Sequence, residues 1–111
     1  MQNIDLKGLR EFELAKGIIA RAVTTDTMTV AYVKLAAGAV LPEHSHYQEQ
    51  VVNVIEGELE LTVAGQPFTL VPGKVMVLEP NVVHSGKAKR DCYVIDVFHP
   101  IREDFRRKSQ G

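Results

Sequence analysis

The chain has 111 residues and a mass of 12.3 kDa, with 13 Lys and Arg against 14 Asp and Glu, a formal net charge of −1 and a pI near 6.4. That length predicts one domain spanning 1–111, whose folded surface scales to about 6,000 Å² against roughly 18,000 Å² for the open chain, so a real core is available without staples. The balance of charge argues against nucleic acid and anionic lipid as partners, and no uncharged apolar stretch approaches the ~18 residues of a membrane span.

In chain order, residues 1–20 interleave Asp5, Glu11 and Glu13 with Leu and Ile, so no apolar signal-peptide core is present and a soluble cytoplasmic protein is the expectation. Leu9–Lys16 reads as a short turn or strand. Gly38, Pro42, Gly57, Gly65, Pro67, Pro72, Gly73, Pro80, Asn81 and Gly86 then cut the chain into short pieces rich in Val, Ile, Leu and Thr. This punctuation predicts an all-β barrel or sandwich with strands at Ile18–Val23, Met28–Leu35, Val51–Ile55, Glu58–Val63, Gln66–Leu70, Val75–Leu78 and Cys92–Phe98. In Glu58–Val63 the alternation places Leu59, Leu61 and Val63 on one face, and Ala64-Gly65-Gln66 reads as a tight hairpin connection. Cys92–Phe98 is apolar on both faces apart from Asp96, which predicts a central strand covered on both sides by a second sheet or a partner subunit. A homodimer is therefore expected. The single Cys92 excludes an intramolecular disulfide and reads as a small buried hydrophobe. Ile101–Lys108 reads as a terminal helical turn with Ile101 and Phe105 on one side, and Arg106, Arg107 and Lys108 as a solvated basic end.

Three of the four histidines stand beside turn residues, where the mouth of a barrel can gather them. His44 and His46 share a face on an extended segment because side chains alternate, and two imidazoles so placed can bind one metal ion. The run Gly38, His44, His46, Gln50, Gly57 and the run Gly73, Glu79-Pro80-Asn81, His84, Ala88 together resemble the two motifs of the cupins, a family of small β-barrels of jelly-roll type. Every spacing of the first motif fits, with Gln50 where the motif has Glu. The second is looser: Gly73 and His84 fit, Glu79 stands at the proline place, Asn81 replaces a glycine and Ala88 replaces an Asn. The resemblance covers residues 38–98 and leaves 99–111 as a short C-terminal extension.

The resemblance implies a divalent transition metal (Ni, Zn, Fe or Mn) held by His44, His46, Gln50 and His84. Imidazole nitrogens suit these ions, and an amide in place of a carboxylate leaves the site about one unit more positive, which favours an anionic ligand. Glu49 competes with Gln50 as the oxygen ligand, with Glu43 and Gln48 as lesser candidates. In the bland alternative, the histidines are exposed or hydrogen-bonded turn residues.

Gln48-Glu49-Gln50 and the run Asp96-Val97-Phe98, Pro100, Arg102-Glu103-Asp104-Phe105 are similar to the pectin-degradation cupins of the KdgF type, which open the ring of 4,5-unsaturated uronates. That resemblance implies functional roles for Asp96, Phe98 and Arg102 and a small anionic sugar as substrate. The residues themselves are compatible with these roles. Asp96 and Phe98 share strand parity, an acid on an apolar strand suits proton transfer, Arg102 offers a planar fork to a carboxylate, and Phe98 offers a sugar ring an apolar platform. The structural alternatives are an Asp96–Arg102 salt bridge closing the barrel end and Phe98 as plain core. His99 reads as surface or second to the site, while Tyr32 and Tyr47 are candidates to line the pocket. Two other functions are open: an Fe(II) dioxygenase, and a sugar- or ligand-binding cupin without catalysis.

Overall fold

The structure, a computed structural model, describes residues 1–110. After a 3-10 turn at Leu6–Gly8, ten strands follow: β1 (Phe12–Ala15), β2 (Ile18–Thr24), β3 (Thr29–Leu35), β4 (Val40–His44), β5 (Glu49–Glu56), β6 (Leu59–Val63), β7 (Gln66–Leu70), β8 (Val75–Leu78), β9 (His84–Ala88) and β10 (Cys92–His99). One helix, α1 (Glu103–Gln110), ends the described chain. The strands form two antiparallel sheets, one ordered β1-β2-β3-β10-β5-β8 and the other β4-β9-β6-β7.

Period-two burial builds the core between the sheets. Ile18, Ala20 and Ala22 of β2, Ala31, Val33 and Leu35 of β3, and Val52 and Val54 of β5 point inward to meet Leu59 and Leu61 of β6. The β6–β7 hairpin closes on Ala64 and Gly65, both at positive φ between the paired residues Val63 and Gln66, as a two-residue turn with the twist of its strands requires. Gly57 is held at φ +94°, and a Cβ there would lie 2.3 Å from the Asp91 carbonyl oxygen, so this motif glycine is fixed by contact as well as by conformation. Asn81 takes φ +67°, the left-handed conformation a glycine would supply at that motif position.

Four sequence expectations need correction. Strands β4 and β9 had no apolar alternation to announce them, since β4 contains Pro42-Glu43-His44 and β9 runs His84-Ser85-Gly86-Lys87-Ala88. β10 is central, between β3 and β5, but the chain's own second sheet covers its inner face alone: Tyr93, Ile95 and Val97 on the outer face are half-buried. The basic end is no simple solvated run, because Arg106 pairs with Glu103 and Lys108 lies against the Phe12 ring. The terminal turn is a full helix of eight residues, docked by Phe105 onto Phe12 and Phe98 and by Ser109, whose hydroxyl accepts the Ala22 N–H.

Candidate metal centre and its pocket

Three chain segments meet at one end of the barrel. His44 is the last residue of β4 and pairs in register with His84, the first of β9; His46 stands two residues on, in the connection to β5; Gln50 is the second residue of β5. The imidazole centroids are 4.2 Å (His44–His84), 5.0 Å (His46–His84) and 5.8 Å (His44–His46) apart. One nitrogen from each ring lies within 4.8 Å of the other two, a group that can hold a metal ion.

The backbone fixes which nitrogens face inward. Each ring donates Nδ1–H to a carbonyl two residues away: His44 to Pro42 at 2.8 Å, His46 to Gln48 at 3.0 Å, His84 to Val82 at 2.9 Å. In the neutral ring that leaves a lone pair on Nε2, and backbone-anchored imidazoles of this kind are how proteins orient metal ligands. Burial, with Arg102 nearby, lowers the pKa of His46, and burial lowers that of His84 to about 4, so both are in the neutral, ligating form near pH 7.

Two atoms test whether an ion fits. The buried Nε2 of His84 has no hydrogen-bond partner. The Nε2 of His46 lies 3.1 Å from Oε1 of Gln50, an acceptor facing an acceptor, which a shared cation satisfies and a hydrogen bond does not. The donor set therefore fits a divalent transition metal. Glu49 projects outward, exposed, on the strand face opposite to Gln50, while Glu43 lines the pocket mouth and the Gln48 side chain points away to the Ile101 carbonyl.

A cavity of about 330 Å³ opens beside this centre, and His44, His46, Gln50, Asp96, Phe98 and Arg102 all line it. Asp96 lies on the inner face of β10, where its Oδ1 is enclosed without a partner. Burial raises its pKa to about 7, against the opposing effects of a Gln50 hydrogen bond and of Arg102. Gln50 thus turns its oxygen toward His46 while its side chain also bonds the Asp96 carboxyl group. An ionised Glu at 50 would face Asp96 with like charge.

Arg102 pairs with Asp104, in place of the salt bridge to Asp96 that the sequence left open: its Nε and Nη2 donate to the two carboxylate oxygens at 3.1 and 3.0 Å. The Arg102 bonds and charge outweigh burial and hold Asp104 below the usual carboxylate range. The guanidinium also stacks 3.9 Å from the Phe105 centroid and 4.9 Å from that of Phe98. Phe98 is only 3% exposed and packs edge-on against His46, so it is core that shapes the pocket wall more than an open platform. Tyr47 is exposed and Tyr32 sits away from the cavity, near Leu6 and Tyr93; His99 is exposed at the end of β10. Sequence reading missed Asp104, Phe105 and Lys108 as pocket residues. The signals available were the four-residue spacing of Ile101 and Phe105 and the place of Asp104 and Phe105 in the run that carries the KdgF-type resemblance.

Two facing sheets with a three-histidine centre at one mouth define a cupin barrel. Residues 31–98 match the family model described as a cupin domain, and the chain belongs to that family. Among solved structures it is similar to KdgF from Halomonas sp., at 30% identity over 85% of this chain and 88% of that one, with a TM-score of 0.80. An RmlC-like cupin from Shewanella frigidimarina is 24% identical over 95% and 96% of the two chains, TM-score 0.87. Salicylate 1,2-dioxygenase from Pseudoaminobacter salicylatoxidans is 19% identical over 77% of this chain and 26% of its own, TM-score 0.74, a likeness of fold. No curated protein matches the chain. Among the described residues, no helix is long and apolar enough to cross a membrane.

Proposed function

We propose that this protein is a metal-dependent enzyme that converts 4,5-unsaturated uronate monosaccharides, of the kind released in pectin and alginate breakdown, to linear 5-keto-4-deoxyuronates. The observation that carries the proposal is Asp96. A buried carboxyl group with a pKa of about 7 shares one cavity, large enough for a sugar ring, with a stacked arginine and with His44 and His46, which converge with His84 on one centre. The similarity to KdgF supports the same reading.

Opening of the ring at C1 leaves an enol at C5; C4 must then gain a proton as the C5 hydroxyl loses one. Asp96 is populated in both protonation states near neutral pH and can give the first and accept the second. Arg102, held in place by Asp104, Phe98 and Phe105, presents its remaining N–H groups to the substrate carboxylate. Phe98 and Phe105 contribute apolar wall to the cavity. A divalent ion held by His44, His46, His84 and Gln50 would supply Lewis acidity and a template for the sugar oxygens.

The ultraviolet absorbance of an unsaturated galacturonate monomer disappears as its conjugated acid is lost. Metal-loaded protein is expected to accelerate that loss, and a rate equal to the spontaneous one rejects the proposal. A second reading, an Fe(II) dioxygenase, draws on the same three imidazoles but lacks the carboxylate of the usual facial triad. Oxygen uptake by Fe(II)-loaded protein would favour it. Saturable sugar binding without product would favour a binding protein.

We further propose that two copies meet through the outer face of the six-stranded sheet. Val77, Val51, Val97, Val30 and Val23 follow one another in register across β8, β5, β10, β3 and β2. Six strands at about 4.8 Å spacing and roughly 20 Å length give a face on the order of 600 Å², near the ~800 Å² per partner of a standard interface. Light scattering should report a dimer that Val51→Lys converts to a monomer; a monomeric wild type at all concentrations overturns this.

A further inference from the structure

We infer that Gln48 is a positioning residue that couples the metal centre to the arginine arm of the pocket. Its side chain is 5% exposed, although Tyr47 and Glu49 on either side of it are exposed. Its main-chain oxygen accepts the Nδ1–H of His46 at 3.0 Å, and its side-chain Nε2 donates to the main-chain oxygen of Ile101 at 3.0 Å. Ile101 immediately precedes Arg102, whose own N–H is held by the Thr29 hydroxyl at 2.9 Å. One residue therefore fixes the acceptor that orients a candidate metal ligand and ties that acceptor to the segment carrying the guanidinium. The link spans 53 positions of sequence.

The arrangement is unusual for a connection between strands. Loops seldom bury a polar side chain, because an unmade hydrogen bond there is costly, yet the buried Oε1 of Gln48 has no partner. A side chain kept in that setting holds the loop in a single conformation, with the His46 ring turned so that Nε2 faces His44, His84 and Gln50. Partners that orient a ligating histidine typically change metal affinity 10–100-fold when removed. Removing the Gln48 amide leaves every candidate ligand atom in the protein and frees only their arrangement.

The test is a zinc-affinity measurement by competition with a chromogenic chelator, which needs no substrate and stands apart from the uronate reading. Gln48→Met keeps the length of the side chain and removes its donor; its zinc Kd is expected to rise about 10–100-fold. Leu70→Ala, at the other end of the barrel, provides a destabilised control that should bind zinc as the wild type does. Wild-type affinity in Gln48→Met overturns the inference, as does an equal loss of affinity in Leu70→Ala. If Gln48→Met does not fold, zinc titration of the wild type followed by NMR decides the matter. The Gln48 side-chain amide signals should shift with occupancy, and signals that stay put overturn the coupling.

Discussion

The two ends of β10 make a natural experiment in polar burial. At its start the inward Cys92 is settled: its thiol faces the Glu58 and Arg90 carbonyl oxygens at 3.3 and 3.2 Å, while the neighbouring Asp91 accepts the Ala37 N–H at 2.8 Å. Four residues further along the same strand, the inward Asp96 keeps an enclosed oxygen with no partner. The three buried, unpartnered side-chain atoms among the described residues belong to Gln48, His84 and Asp96, all at this second end. Native interiors pair their polar groups, so a cluster of orphans marks the end where a ligand completes the bonding. One end is built for stability, and the other gives some of it up.

That contrast breaks first at Asp96. Asp96→Asn should lower kcat on an unsaturated uronate by about 10²–10⁴-fold, the usual worth of a positioned acid or base, and yet stabilise the metal-free fold. The sign follows from linkage. The folded carboxyl has its pKa raised to about 7 from 3.8, so the wild type loses stability as pH rises from about 4 through about 7, and the Asn variant does not. Denaturant melts at pH 5 and pH 8 of both proteins check this; parallel changes would show that Asp96 carries no such penalty.

At the opposite end the effects should invert. Gly57→Ala places a Cβ against the Asp91 carbonyl at a left-handed φ, and on the order of 3 kcal/mol of stability should be lost, with kcat preserved in whatever protein remains folded. Arg102→Lys, which keeps the charge but loses the fork and the stacking on Phe105, should raise KM about 10-fold with a smaller change in kcat. The smallest effect belongs to Cys92→Ala, at about 1 kcal/mol of stability and unchanged turnover. Burial raises the pKa of the Cys92 thiol, so alkylation at pH 8 should be slow until the protein unfolds.

Much of the barrel was legible because its strands are half-buried and punctuated. In β6 the alternation of Leu59, Leu61 and Val63 with polar residues states both the strand and its inner face. The three histidines were legible through the resemblance to the two cupin motifs, whose spacings they match, even though β4 and β9, which carry two of them, lack apolar periodicity. Those strands obtain their order from pairing with one another and, for β9, with β6, so the information lies in the partners. The Arg102–Asp104 pair and the Gln48–Ile101 bond were equally hidden: the first depends on two rotamers, and the second joins segments that only the closed barrel brings together. The outer face of β10 was legible as apolar but not in what covers it, since a row of valines reads the same opposite a second sheet or a partner subunit; within the chain the second sheet covers only the inner face.

The two-ended amide of Gln50 has a consequence for how this site can vary. Gln50 and Asp96 point into the barrel from adjacent strands, diagonally across a register that pairs Gln50 with Phe98 and Asp96 with Val52. Together they hold one ionisable group between them, seated at position 96. Exchanging amide and carboxyl groups between the two positions, Gln50→Glu with Asp96→Asn, would move that single ionisable group from the proton-handling seat to the ligand seat while keeping a hydrogen-bonding pair between them. Neither position is then free to change alone, and a chain that crosses from one arrangement to the other must pass through a site with two negative charges or with none.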